Sequence, residues 1–111
     1  MSAEPQILLH AIERELKALS WWESVPPSAR ALASTEPFCL DTLSFPQWLQ
    51  FVLLPRMQAL LDAGAPLPSR ISIYPMAVES FKPLPEDTAG LEEAIARLDE
   101  RLSGQPVQRE A

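Results

Sequence analysis

The side chains that could do chemistry are few. One histidine, His10, and one cysteine, Cys39, are present. A zinc centre of the usual Cys/His kind needs three or four ligands, and these two fall short. Any Ser-His-Asp or Cys-His system would have to pass through His10. That residue lies between Leu9 and Ile12 of a helical pattern and reads as an ordinary helix residue. Cys39 sits between Phe38 and Leu40 with no adjacent cation to lower its pKa, so a buried, inert thiol is expected. Carboxylates adjacent in sequence, Glu92-Glu93 and Asp99-Glu100, point about 100° apart on a helix and do not converge as an acid–base pair would. Gly64, Gly90 and Gly104 are scattered, which excludes a phosphate-binding loop or a dinucleotide fingerprint. No catalytic residue, metal site or cofactor is assigned.

Two charges and a set of rings are more informative. Residues 37–78 hold only Asp41, Asp62, Arg56 and Arg70 as charged groups, while 24 of their 42 side chains are hydrophobic. An isolated charge in such surroundings is costly, so Asp41 is expected to cap the following helix or to pair with Arg56. The aromatic residues Trp21, Trp22, Phe38, Phe45, Trp48 and Phe51 cluster in the first half of the chain. They read as core anchors, or in part as a partner-binding hot spot, a role that tryptophan favours. Adjacent side chains cannot easily face one way, so one of Trp21 and Trp22 is the candidate for exposure. The candidate partner or ligand surface is therefore Trp21, Trp22, Phe38, Asp41, Trp48, Phe51 and Arg56.

The elements that must position these groups are helical. Leu8, Ile12, Leu16 and Leu19 fall at 4-4-3 spacing and predict a helix from Ile7 to about Leu19, with Ser2 as a cap and Pro5 in its first turn. Trp21-Trp22 leads into a loop broken by Pro26-Pro27, and Ser28 to Leu32 suits a single turn. A long helix beginning after Thr42 or Ser44 and stopping before Gly64 carries Trp48, Leu49, Val52, Leu53, Met57, Leu60 and Leu61. Pro55 in its interior deprives the Phe51 carbonyl of its partner and predicts a kink. A connector with Pro66, Pro68 and Pro75 precedes a short helix to Phe81. A last helix is expected from about Pro85 to Leu102, with an acidic outer face. The fold class is all-α: about three principal helices and one or two short ones in an irregular bundle. The expected domain is 1–102, followed by a flexible tail over 103–111.

Composition bounds the function. The chain has 111 residues, a one-domain length, and 47% hydrophobic residues place it among folded domains. A net charge of −6 opposes phosphate-backbone binding, so no direct nucleic-acid contact is expected. The longest apolar run is Phe51 to Leu54, far below the roughly 20 residues of a membrane span. With no signal-like N-terminus either, the expected location is the cytoplasm.

Ser34-Thr35-Glu36-Pro37-Phe38, Asp41-Thr42-Leu43, Gln47-Trp48-Leu49-Gln50-Phe51-Val52, Leu54-Pro55-Arg56-Met57, Leu60-Leu61 and Pro66-Leu67-Pro68 follow in an order that resembles the YqcC-like family of uncharacterised bacterial proteins. The resemblance spans roughly residues 7–102. It implies a small cytoplasmic helical domain and supplies no established activity and no functional residues. Some members are encoded beside a tRNA pseudouridine synthase. From the apolar, low-charge middle segment we expect a non-catalytic protein-interaction module, its partner a protein such as a tRNA-modifying enzyme or a second copy of the chain. The alternative is a small-ligand or peptide-binding domain, in which the Pro55 kink opens an apolar pocket among Trp48, Phe51, Val52 and Arg56 for an anionic amphiphile.

Overall fold

The structure is a computed structural model and describes residues 4–109. The cap expected at Ser2 lies outside them. Helix α1 spans Glu4–Ala18, the single turn α2 spans Ala29–Leu32, and a 3₁₀ turn covers Pro37–Cys39. The central helix is made of three successive runs: α3 (Phe45–Trp48), a π-helical segment (Leu49–Leu53) and α4 (Leu54–Asp62). Helices α5 (Tyr74–Phe81) and α6 (Ala89–Ser103) complete the fold, and no described residue is in a strand.

Helices α1 and α6 lie against each other, and α1 also meets α4 while α5 meets α6. Leu9, Ile12 and Leu16 of α1 face Leu91, Ile95, Leu98 and Leu102 of α6 in one core with Leu49, Leu53 and Met57. The approach of α1 to α6 is close. A Cβ on Gly90 would lie 2.5 Å from the Glu15 carboxylate, so the end of that flexible side chain would have to move aside. Gln6 and Gln58 exchange two amide hydrogen bonds, 2.6 and 2.7 Å, between α1 and α4.

The ends follow local chemistry. Ser44 opens α3 with a reciprocal capping box: its hydroxyl accepts from the Gln47 N–H, and the Gln47 side chain accepts from the Ser44 N–H. Gly64 stops α4 in the left-handed conformation (φ 66°), its N–H reaching Leu61 while Ala65 reaches Leu60. The start of α6 differs from expectation. The carboxylate of Asp87 accepts from the Ala89 N–H and the Thr88 hydroxyl donates to Glu92, which fixes the first turn at Ala89 and leaves Pro85 in the loop. Residues 104–109, whose composition suggests a frayed tail, turn back along α6. Arg109 reaches both Glu93 and Glu100 there, and the Val107 N–H donates to Glu100.

Pro55 does not break the central helix. The discontinuity falls one turn earlier, where the Leu54 N–H bonds to the Leu49 carbonyl across five residues. A π turn inserts one extra residue into the helical register. It is the form that the disturbance expected from Pro55 takes.

A cleft beside the central helix

That extra residue decides which side chains share a face. With α spacing, Val52 would follow Trp48. Across the π turn Leu53 follows it instead, and Arg56 and Met57 come next. Trp48, Leu53, Arg56 and Met57 line one side of a cleft of about 320 Å³. Phe38 and the connector residues Pro68, Arg70, Ile71, Ser72 and Ile73 complete its lining.

Phe38 reaches the cleft through an unusual backbone. Its φ is 57° and that of Cys39 is 50°, two consecutive non-glycine residues in the left-handed region. Such residues cost about 1–2 kcal/mol each. The turn is held by the Cys39 N–H to the Glu36 carbonyl (2.9 Å) and the Leu43 N–H to the Cys39 carbonyl (2.8 Å). The result sets the Phe38 ring edge-on to Trp48, with centroids 4.8 Å apart, and 5.8 Å from Phe45. Phe45 in turn stacks on Trp48 and meets Phe81, which touches Trp21. Trp48 and Phe38 are thus the half-buried end of a row of rings that runs into the core.

The cleft carries unbalanced charge. Arg97, Arg101, Arg109, Lys17 and Lys82 all pair with carboxylates. Among the described residues Arg14, Arg30, Arg56 and Arg70 pair with no carboxylate, and of these four Arg56 and Arg70 line this cleft together. The two acids of the middle segment are engaged elsewhere: Asp41 accepts from the Ser34 hydroxyl at 2.5 Å and Asp62 from Gln58 at 2.9 Å.

Of the candidate surface residues, the structure brings Phe38, Trp48 and Arg56 together. Asp41 neither caps the central helix nor meets Arg56. Ser44 holds the cap, and Asp41, exposed to solvent, has no burial cost to offset. Phe51 and Val52 are half-buried but stand off the cleft, because the π turn rotates them away from it. Neither Trp21 nor Trp22 is exposed. Trp21 packs 5.4 Å from Phe81, and the Lys17 ammonium lies 5.1 Å above Trp22. The central helix presents no open apolar face: each of its large apolar side chains is buried or half-buried. The exposed large apolar residues, Ile7, Val25, Leu40 and Leu84, are scattered over other elements.

Several contributors escaped sequence reasoning. Leu53 and Arg70 belong to the cleft, and Gln50, buried on the π segment, ties down the Trp21–Glu23 loop. A second buried polar residue, Asp99, accepts from the N–H groups of Ile73 and Tyr74 at 2.8 and 2.7 Å. It thereby fixes the end of the connector that walls the cleft. Burial pushes its carboxyl above the ordinary value of 3.8, against the pull of those two bonds. Among the described residues no cluster of three or more His, Cys, Asp or Glu could hold a metal, and no helix is long and apolar enough to cross a membrane.

Comparison with known proteins places this architecture. The family DUF446, described as tRNA pseudouridine synthase C, matches residues 5–101. An uncharacterised protein of Haemophilus influenzae is 45% identical over 74 residues, 67% of this chain and 70% of its own length. Uncharacterized protein YqcC of Escherichia coli is 39% identical over 70 residues, 63% of this chain and 64% of its own. A protein of Pectobacterium carotovorum named tRNA pseudouridine synthase C is 51% identical over 70 residues; these are 61% of this chain but only 19% of that protein. The solution NMR structure of YqcC from E. coli superposes with a TM-score of 0.79 at 28% identity, covering 97% of this chain and 92% of that one.

Proposed function

Because this chain belongs to the YqcC-like family, DUF446, we propose that it is a non-catalytic, cytoplasmic protein-interaction module that works beside a tRNA-modifying enzyme. The observation that carries this reading is the Pectobacterium relative. Its stretch similar to this chain is a minor part of a much longer polypeptide that bears an enzyme's name. A domain that occurs within such a polypeptide in one organism and as a short chain in others is suited to associate with the remainder. The residues themselves favour binding over catalysis. Among the described residues His10 is exposed and hydrogen-bonds only with Gln6, Cys39 is buried, and no histidine joins the two hydroxyl–carboxylate contacts, Ser34–Asp41 and Thr88–Glu92.

The test is direct. The purified chain is mixed with a purified tRNA pseudouridine synthase C and run on size exclusion. Co-elution is expected, with no pseudouridine formed from tRNA by the chain alone. Separate elution at micromolar concentrations overturns the partnership, and pseudouridine made without the enzyme overturns the non-catalytic assignment. The second reading, a pocket for an anionic amphiphile, has in its favour that Trp48 and Arg56 do line one cleft.

A further inference from the structure

We infer that the cleft between the central helix and the 68–73 connector is the docking site for a protein segment that places a carboxylate beside a bulky apolar side chain. This rests on the reading of the chain as an interaction module and specifies the surface and the chemistry it recognises. Charge complementarity selects the occupant. In a chain of net charge −6, Arg56 and Arg70 have no acidic partner among the described residues, and both line one apolar cleft. An arginine fork offers a carboxylate two parallel N–H donors. Trp48, Leu53, Met57 and Ile73 line the same cleft as the arginines and supply an apolar bed for the neighbouring side chain.

The size of the cleft fits a side-chain pair. About 320 Å³ lies at the small end of the range of ~300–1,000 Å³ in which ligands are bound, which suits part of a peptide better than a dinucleotide or haem. The backbone adds a further argument. Phe38 is only half-buried, yet its chain holds a strained left-handed conformation while its ring lines the cleft. Strain of this sort accompanies pre-organised binding sites. Two arginines against an acidic whole do not make a phosphate-tracking groove, which draws on many cations at once.

The probe is the labelled peptide acetyl-Ser-Glu-Leu-Asp-Phe-Ser-amide, with a neutral twin in which Gln and Asn replace the acids. Titrated into ¹⁵N-labelled protein, the acidic peptide should shift resonances of Phe38, Trp48, Arg56, Met57 and Arg70 to Ile73. The neutral twin should bind about tenfold more weakly, as should the acidic peptide to the Arg56→Gln/Arg70→Gln variant, a loss of about 1.4 kcal/mol. Both arginines are exposed, so the variant should keep the wild-type circular dichroism and melting curve. Equal binding of the twin, shifts centred elsewhere, absence of binding, or displacement of the peptide by a uridine decamer or by a second copy of the chain overturns the inference. Capture of a tRNA pseudouridine synthase C separates the two readings. Capture by wild type and variant alike removes the cleft but keeps the partnership. Capture by neither removes the partnership and leaves the peptide titration to decide the cleft.

Discussion

The carboxamide of Gln50 closes two hydrogen bonds on the backbone of Glu23, accepting from its N–H at 2.9 Å and donating to its carbonyl at 2.7 Å. A side-chain amide here does what a neighbouring strand would do. It links the loop after α1 to the π turn of the central helix. The bond pair also gives the π turn a stabilising role, since it is the segment that presents Gln50.

Replacing Gln50 with Leu should cost about 1–2 kcal/mol, the range for a hydrogen-bonding partner removed from part-buried groups. Urea denaturation measures the loss. The emission of Trp21 and Trp22 should move to longer wavelength as their loop loosens. Gln50→Glu should cost more, because a carboxylate oxygen then faces the Glu23 carbonyl. An unchanged midpoint for Gln50→Leu would show that water replaces both bonds at no cost.

Ser20 sits in the left-handed conformation (φ 62°) after α1, where its N–H bonds to Lys17 and that of Trp21 to Leu16. This is the bond pattern that Gly64 makes after α4. A serine there carries a Cβ penalty of about 1 kcal/mol or more, partly offset by the greater unfolded-state freedom of glycine. Ser20→Gly should therefore stabilise the fold by about 0.5 kcal/mol, seen as a small rise in the thermal midpoint. A fall would mean that the Ser20 Cβ makes a contact worth more than its strain.

How far the sequence reveals this molecule depends on the kind of signal. Regular amphipathic spacing makes α1 and α6 legible, and Gly64 ends the central helix where it should. The cleft is half legible. Trp48 and Arg56 are legible as members of one helix, but the π turn that sets Leu53 rather than Val52 beside Trp48 leaves no mark in hydrophobic periodicity. Arg70 joins through a connector with no period of its own. Asp99 looks like one more acid on a polar helix face; only the packing of the Ile73–Tyr74 backbone against it makes it a buried acceptor.

Asp99→Ala should destabilise by about 2–4 kcal/mol, since it strands the N–H groups of Ile73 and Tyr74 in the core. Asp99→Asn keeps an acceptor for both and should lie within about 1 kcal/mol of wild type at neutral pH. The two differ in pH dependence as well. With its pKa raised by burial, the folded chain holds the Asp99 proton more tightly than the unfolded one. This carboxyl therefore subtracts stability as pH climbs from the ordinary value of 3.8 through its raised folded value. Denaturation of Asp99→Asn across pH 4–7 should lack that decline. A slope equal to that of the wild type would assign the titration to another group.

Arg109 sets the opposite slope. Its guanidinium donates to Glu93 at 2.9 and 3.0 Å and to Glu100 at 2.7 Å, which folds residues 104–109 onto α6. Hydrogen bonds from Arg109 and then Arg97 hold the Glu93 carboxyl at about 2, against an ordinary 4.5, and Arg109 with the Val107 N–H lowers Glu100. The unfolded chain thus takes up these protons first. The contribution is fully present above pH 4.5 and is lost as pH falls through about 2. These groups are substantially exposed, so salt should weaken the contact and its share of global stability should be small. The local effect is the sensitive one. Arg109→Gln should release the segment at neutral pH, raising hydrogen exchange at the Val107 N–H several-fold while core amides such as that of Ile95 stay slow. In the wild type the same release should occur only below about pH 4.5, by the proton uptake just described. Protection of Val107 that survives both the substitution and acid would mean that its bond to Glu100 holds without Arg109.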